Sequence, residues 1–139
     1  MDIKMNVTEL NDFVAEVFPQ VCHQVFVEEL TETGCVVRWK VDDSNLRPGG
    51  TVSGPTMFSA ADVAAYLATL SRIGPEALAV TTNCSIDFMR KPAARTDLIA
   101  DCRLLKLGRV LSVSEVLIYS DGQDQPVARA SLTYSIPPK

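Results

Sequence analysis

The residues from Gly49 to Ser71, GGTVSGPTMFSAADVAAYLATLS, leave this chain few ways to fold. A glycine-rich turn runs into a helix-forming stretch that is apolar on nearly every side. Between Gly54 and Ser71 the only charged side chain is Asp62. A helix apolar all round needs burial all round. One sheet curled around it can supply that burial, and 139 residues are enough for one such domain, spanning 1–139. A lone carboxylate in apolar surroundings is costly without a partner or a task. The place of Asp62 therefore frames the functional question.

The flanking segments read as one helix and six strands. Region 1–20 carries Leu10, Phe13, Val14, Val17 and Phe18 on one face of a helix from Thr8 to Phe18, with Pro19 as its stop. It is read as a helix packed on the sheet or as a lid over a ligand channel. Residues 23–30 and 35–41 are strand-like and joined by a hairpin turn, with His23 read as structural at a strand start. The loop 42–50 leads into the central helix, 54–72. Strands follow over 78–89, 97–107, 110–120 and 126–136, with short connections that predict an antiparallel meander. In the first of these, Ala79, Thr81, Asn83, Ser85 and Asp87 alternate onto one polar face, as expected of a strand lining a wet site. The class is α+β, and edge strands of such a sheet favour pairing with a second copy.

Composition excludes several functions. A net charge of -4 gives no electrostatic footprint for nucleic acid. No stretch reads as a signal peptide or a bilayer-spanning helix, so a cytoplasmic protein with no membrane partner is expected. Cys22, Cys35, Cys84 and Cys102 are too scattered for a metal motif and read as small hydrophobes in a reducing compartment. With His23 as the one histidine, no metal site and no Ser–His–Asp relay is expected. No phosphate-binding glycine fingerprint is present either.

Two readings stay open for each candidate on residue chemistry alone. Asp62 is a structural carboxylate, for example paired with Arg72, or an acid–base group. Gly54 is a turn glycine or an amide donor at a helix start. Arg90, Lys91, Arg95 and Arg109 are a solvated surface or a phosphate site. Tyr66, one helical turn beyond Asp62, packs in the core or lines a pocket.

The stretch GTVSGPTMFSAADVA resembles the signature of hotdog-fold acyl-CoA thioesterases of the PaaI-like branch. TTNCSIDFMRKP, LLKLGRVLSVSEV and PVARASLTYSI are similar to later segments of that family. The resemblance implies a curved antiparallel sheet wrapped around one long helix and hydrolysis of an acyl-CoA thioester to free acid and coenzyme A. It implies a homodimer or dimer of dimers with sites at subunit interfaces, and no cofactor beyond the coenzyme A of the substrate. Carried over by position, the Gly54 amide polarises the thioester carbonyl, Asp62 is base or nucleophile, and Thr81 holds water or substrate. Asn45, Ser53, Pro55, Met57, Phe58, Tyr66, Thr82, Arg90, Lys91 and Arg109 are the expected substrate contacts. Ser53 stands where most members have histidine, and Pro55 replaces a second glycine. Two alternatives accompany this reading: a hydratase or dehydratase on the same fold, and a non-enzymatic acyl-CoA sensor.

Overall fold

A computed structural model describes residues 2–138. Helix α2 runs from Gly54 to Ile73, about 30 Å at the helical rise. Ser53 caps its start and Gly74, at φ 99°, ends it. Leu67, Leu70, Ala61, Ala64 and Ala68 are fully buried on it. Small and large side chains thus alternate beneath the sheet, and losing one such leucine side chain typically costs about 2–5 kcal/mol. Burial is not all round. Pro55 and Phe58 are exposed, and Ser59 and Asp62 are half-buried. Their spacing makes one open stripe along the helix.

The sheet has six antiparallel strands: β1 (Val25–Leu30), β2 (Gly34–Trp39), β3 (Val80–Phe88), β4 (Leu98–Leu107), β5 (Leu111–Ser120) and β6 (Ala128–Ser135), in spatial order β1-β2-β4-β5-β6-β3. The expected four-strand meander is thus corrected. Only β4, β5 and β6 meander, while β3 crosses to pair with β6 and β4 pairs with β2. Crossing lets the sheet enclose α2 between its two halves. His23 also falls outside β1, in the turn before it. Gly34 is fixed by sterics: a Cβ there would lie 1.8 Å from the Cys102 carbonyl oxygen.

Helix α1 (Val7–Val17), with a capping box between Asn6 and Glu9, lies against β1. The Asn11 side chain accepts from the Val27 N–H at 2.8 Å and donates to the Val27 carbonyl at 3.2 Å. Among the described residues no helix is long and apolar enough to cross a membrane.

Strand β3 departs from simple alternation. Thr81 pairs with Tyr134, but Asn83 pairs with Thr133, so a bulge intervenes at Thr82. Thr81, Cys84 and Ile86 therefore share the inward face with Tyr134, Leu132 and Ala130. Asn83, Ser85 and Asp87 turn outward, against expectation. One extra residue exchanges the faces of everything that follows.

Candidate active site

Asp62 ends the open stripe, midway along α2, and meets β3 and β6. Thr81 Oγ1 donates to its Oδ1 at 2.5 Å. The Tyr134 phenol oxygen lies 2.9 Å from the same Oδ1 and 2.9 Å from the Asp62 carbonyl oxygen. No described residue bonds Oδ2, which is not sealed from solvent. Arg72 is not its partner. The Arg72 guanidinium instead donates to the Gly34 and Thr31 carbonyls and to Ser71 at the far end of the helix.

A cavity of about 400 Å³ opens beside Asp62, lined also by Phe18, Val63, Tyr66, Ala79 and Thr81. Gln20 and Val17 reach it from the end of α1, so that segment closes one side of the pocket. Tyr66 lies along its wall and donates to the Ala77 carbonyl at 3.1 Å. Its ring centroid is 6.0 Å from that of Tyr134. Burial, then the charge of Asp62, pushes the Tyr134 phenol far above the ordinary tyrosine range. The phenol is consequently a neutral donor. The Cys84 thiol is raised by the same two causes in the same order.

Gly54 lies at a second cavity, of about 670 Å³, with Arg47, Met57, Phe88, Arg90 and Lys91. Ser53 Oγ accepts from Thr56 N–H at 3.3 Å, and Ser53 O accepts from Met57 N–H at 3.2 Å. Pro55 has no N–H. The Gly54 N–H is therefore the one first-turn amide without an acceptor among the described residues. A free amide at a helix start favours an anion or a developing oxyanion.

Asn45 braces this turn. Its Oδ1 accepts from Gln24 Nε2 at 2.7 Å and from Asp42 N–H at 2.9 Å. Its carbonyl accepts from Ser53 N–H at 2.8 Å. The Nδ2 group has no acceptor among the described residues. Arg90 also ties the next loop down, donating to the Pro126 carbonyl at 2.8 Å.

Two expected contacts lie elsewhere. Thr82, the bulged residue, is exposed and its hydroxyl lies 3.3 Å from the Thr133 carbonyl. Arg109 lines a third cavity, of about 520 Å³, with Arg72 and Ile136 at the opposite end of α2 from Gly54. Within one chain it does not join Arg90 and Lys91. Tyr134 was not among the expected residues. In sequence it is the last inward member of the Ala128, Ala130, Leu132, Tyr134 alternation, and a polar tip on a buried run is the one signal it offers.

A six-stranded antiparallel sheet wrapped around one long helix defines a hotdog domain. Residues 49–127 match the thioesterase superfamily, and the chain belongs to that family. A candidate thioesterase from a Silicibacter species is 48% identical over 99% of this chain and 96% of that one, with a TM-score of 0.93. The phenylacetic acid degradation protein PaaI of Thermus thermophilus, in a mutant form, is 26% identical over 91% and 99%, with a TM-score of 0.69. Zebra fish thioesterase superfamily member 2 shares the fold at 19% identity over 96% and 100%, with a TM-score of 0.82. A search of curated proteins finds no match. Family and relatives together support hydrolysis of a small-molecule thioester.

Proposed function

We propose that this protein hydrolyses acyl-CoA thioesters at a site assembled from two copies of the chain. The observation that carries the reading is a separation. Asp62 and the free Gly54 amide lie eight residues apart on one helix, about 12 Å along its axis, too far to act on one carbonyl. Strand β3 runs opposite to α2, since Thr81 meets Asp62 while the Phe88 ring lies 3.4 Å from where a Gly54 Cβ would stand. Two-fold pairing of β3 with a second β3 brings the Gly54 end of one copy to the Asp62 end of the other.

In that arrangement the Gly54 amide receives the carbonyl oxygen as it becomes an oxyanion. Asp62 takes the proton of an attacking water or adds to the carbonyl carbon itself. The C–S bond breaks and the thiolate takes up a proton, which in the first case is the one Asp62 took from water. In the second case water then hydrolyses the mixed anhydride, releasing the free acid and restoring the carboxylate. Thr81 holds the carboxylate, and Asn45 Nδ2 is a further donor beside the Gly54 turn. Arg47, Arg90 and Lys91 give this cavity a local positive charge in a chain of net charge -4, which suits the phosphates of coenzyme A. The pocket at Asp62 then takes the acyl group, with Tyr66 along its wall. Ser53, Pro55, Met57 and Phe58 frame the entrance on the helix start.

Steady-state hydrolysis of an acyl-CoA panel by wild type and Asp62→Asn tests this. Wild type should release free thiol, and the variant should lose at least about a hundredfold in kcat. An unchanged kcat removes Asp62 from the chemistry. Tight acyl-CoA binding without turnover identifies a sensor instead, and a hydroxyacyl product without thiol release identifies a hydratase.

A further inference from the structure

We propose that Tyr134 is a positioning residue, which together with Thr81 immobilises Oδ1 of Asp62 and leaves Oδ2 as the reacting oxygen. The inference rests on Asp62 being the acting group and adds which of its atoms acts and what aims it. A carboxylate on a single rotatable bond presents two equivalent oxygens unless something distinguishes them. Here two hydroxyls converge on one oxygen, and no described residue bonds the other.

The phenol does more than occupy the core. Its oxygen is equidistant, at 2.9 Å, from the carboxylate and from the backbone carbonyl of the same residue. It therefore references the side chain of Asp62 to its own main chain. A buried phenol needs only one acceptor, and the carbonyl alone would satisfy it. The phenol's single proton is shared between the two acceptors, and it is this sharing with the carboxylate that distinguishes orientation from packing. Placement on the sheet agrees: Thr81 and Tyr134 are direct cross-strand partners, and the bulge falls immediately after that pair. The inward residues before Tyr134 on β6, Ala128, Ala130 and Leu132, carry no hydroxyl. The phenol stands only at the level of the carboxylate. Because burial and Asp62 both keep it protonated, it remains a donor as the carboxylate works.

Tyr134→Phe keeps the ring and removes the hydroxyl. Losing one hydrogen bond to a charged group corresponds to roughly a tenfold to hundredfold loss. That loss should appear in kcat, with KM for the same acyl-CoA within about twofold of wild type, because an aiming defect spares ground-state binding. Thr81→Val should behave alike, and the double variant should lose less than the product of the two, since both act on one oxygen. A crystal structure of Tyr134→Phe should show the carboxylate rotated from its wild-type plane. Wild-type kcat in Tyr134→Phe, a raised KM with unchanged kcat, or an unmoved carboxylate each overturns the proposal. If Tyr134→Phe does not fold, Thr81→Val with wild-type kcat overturns it equally. An active Asp62→Asn enzyme would instead overturn the reading of the site beneath it.

Discussion

The two edges of the sheet are treated in opposite ways. At β1 the chain closes its own edge: Asn11 from α1 takes up both backbone groups of Val27, and the strand bulges at Glu28. At β3 nothing described bonds the outer side of a nine-residue strand. Val80 and Phe88 on that strand are 56% and 53% exposed. An open edge of this length invites another strand, and natural proteins usually blunt such edges. The candidate active site borders the unblunted one. The open stripe of α2, with Pro55, Phe58, Ser59 and Asp62, flanks the same strand. One edge is covered by the chain's own side chain, and the other is the edge at which the proposed pairing of two copies would occur.

Charging the open edge should have the largest effect. Asn83→Lys with Ser85→Lys places like charges against each other across a two-fold axis, on a face the core does not use. If β3 pairs with a second β3 as proposed, sedimentation should show a folded monomer for the variant and a dimer for wild type. Thioester hydrolysis should fall at least about a hundredfold, because a lone chain cannot bring Gly54 to Asp62. A fully active monomer would erase the functional half of the comparison.

Opening the closed edge should cost stability and not chemistry. Asn11→Ala leaves the Val27 groups unpaired, with an expected loss of about 1–3 kcal/mol in a urea titration. The kcat should stay near wild type, and light scattering should detect assemblies beyond the wild-type state. Ser53→Ala, which removes the cap of α2, should cost about 1 kcal/mol by the same measurement.

Two smaller tests sharpen the contrast. Cys35 and Cys102 face each other across β2 and β4 and are fully buried, and burial pushes the Cys102 thiol up to about 12. Alkylation at neutral pH should spare both and modify half-buried Cys22 first, with half-buried Cys84 slower because burial and Asp62 raise its thiol. The Tyr134 phenol, raised in the fold above its value in the unfolded chain, contributes fully at pH values below about 10. That contribution is lost progressively as pH rises beyond the unfolded value. Tyr134→Phe should therefore flatten the alkaline arm of the stability curve while leaving the neutral region unaltered in shape.

Much of this was legible in the sequence, for identifiable reasons. The central helix announces itself because its composition admits one environment, and its single carboxylate, Asp62, stands out against it. The Gly54 turn is legible because glycine and proline punctuate the chain there. Thr81 has the strand parity that brings it to Asp62. Legibility ended where partners are set by the return of the chain. Nothing local states that β3 pairs with β6, nor that Thr82 is extra and turns Asn83, Ser85 and Asp87 outward. Tyr134 reads as one more aromatic in an alternating strand, because its role depends on a helix residue 72 positions away. Asn11 reads as a polar residue on a helix surface, because its partner is a backbone. Arg109 looks like one more member of a basic set until the helix separates it from Arg90 and Lys91.

The eight-residue interval between Gly54 and Asp62 has a consequence for kinetic order. If each site draws its amide from one chain and its carboxylate from another, turnover is second order in protein whenever dissociation is appreciable. Specific activity then declines on dilution, and halving the amount of protein in a dilute compartment removes more than half of the flux.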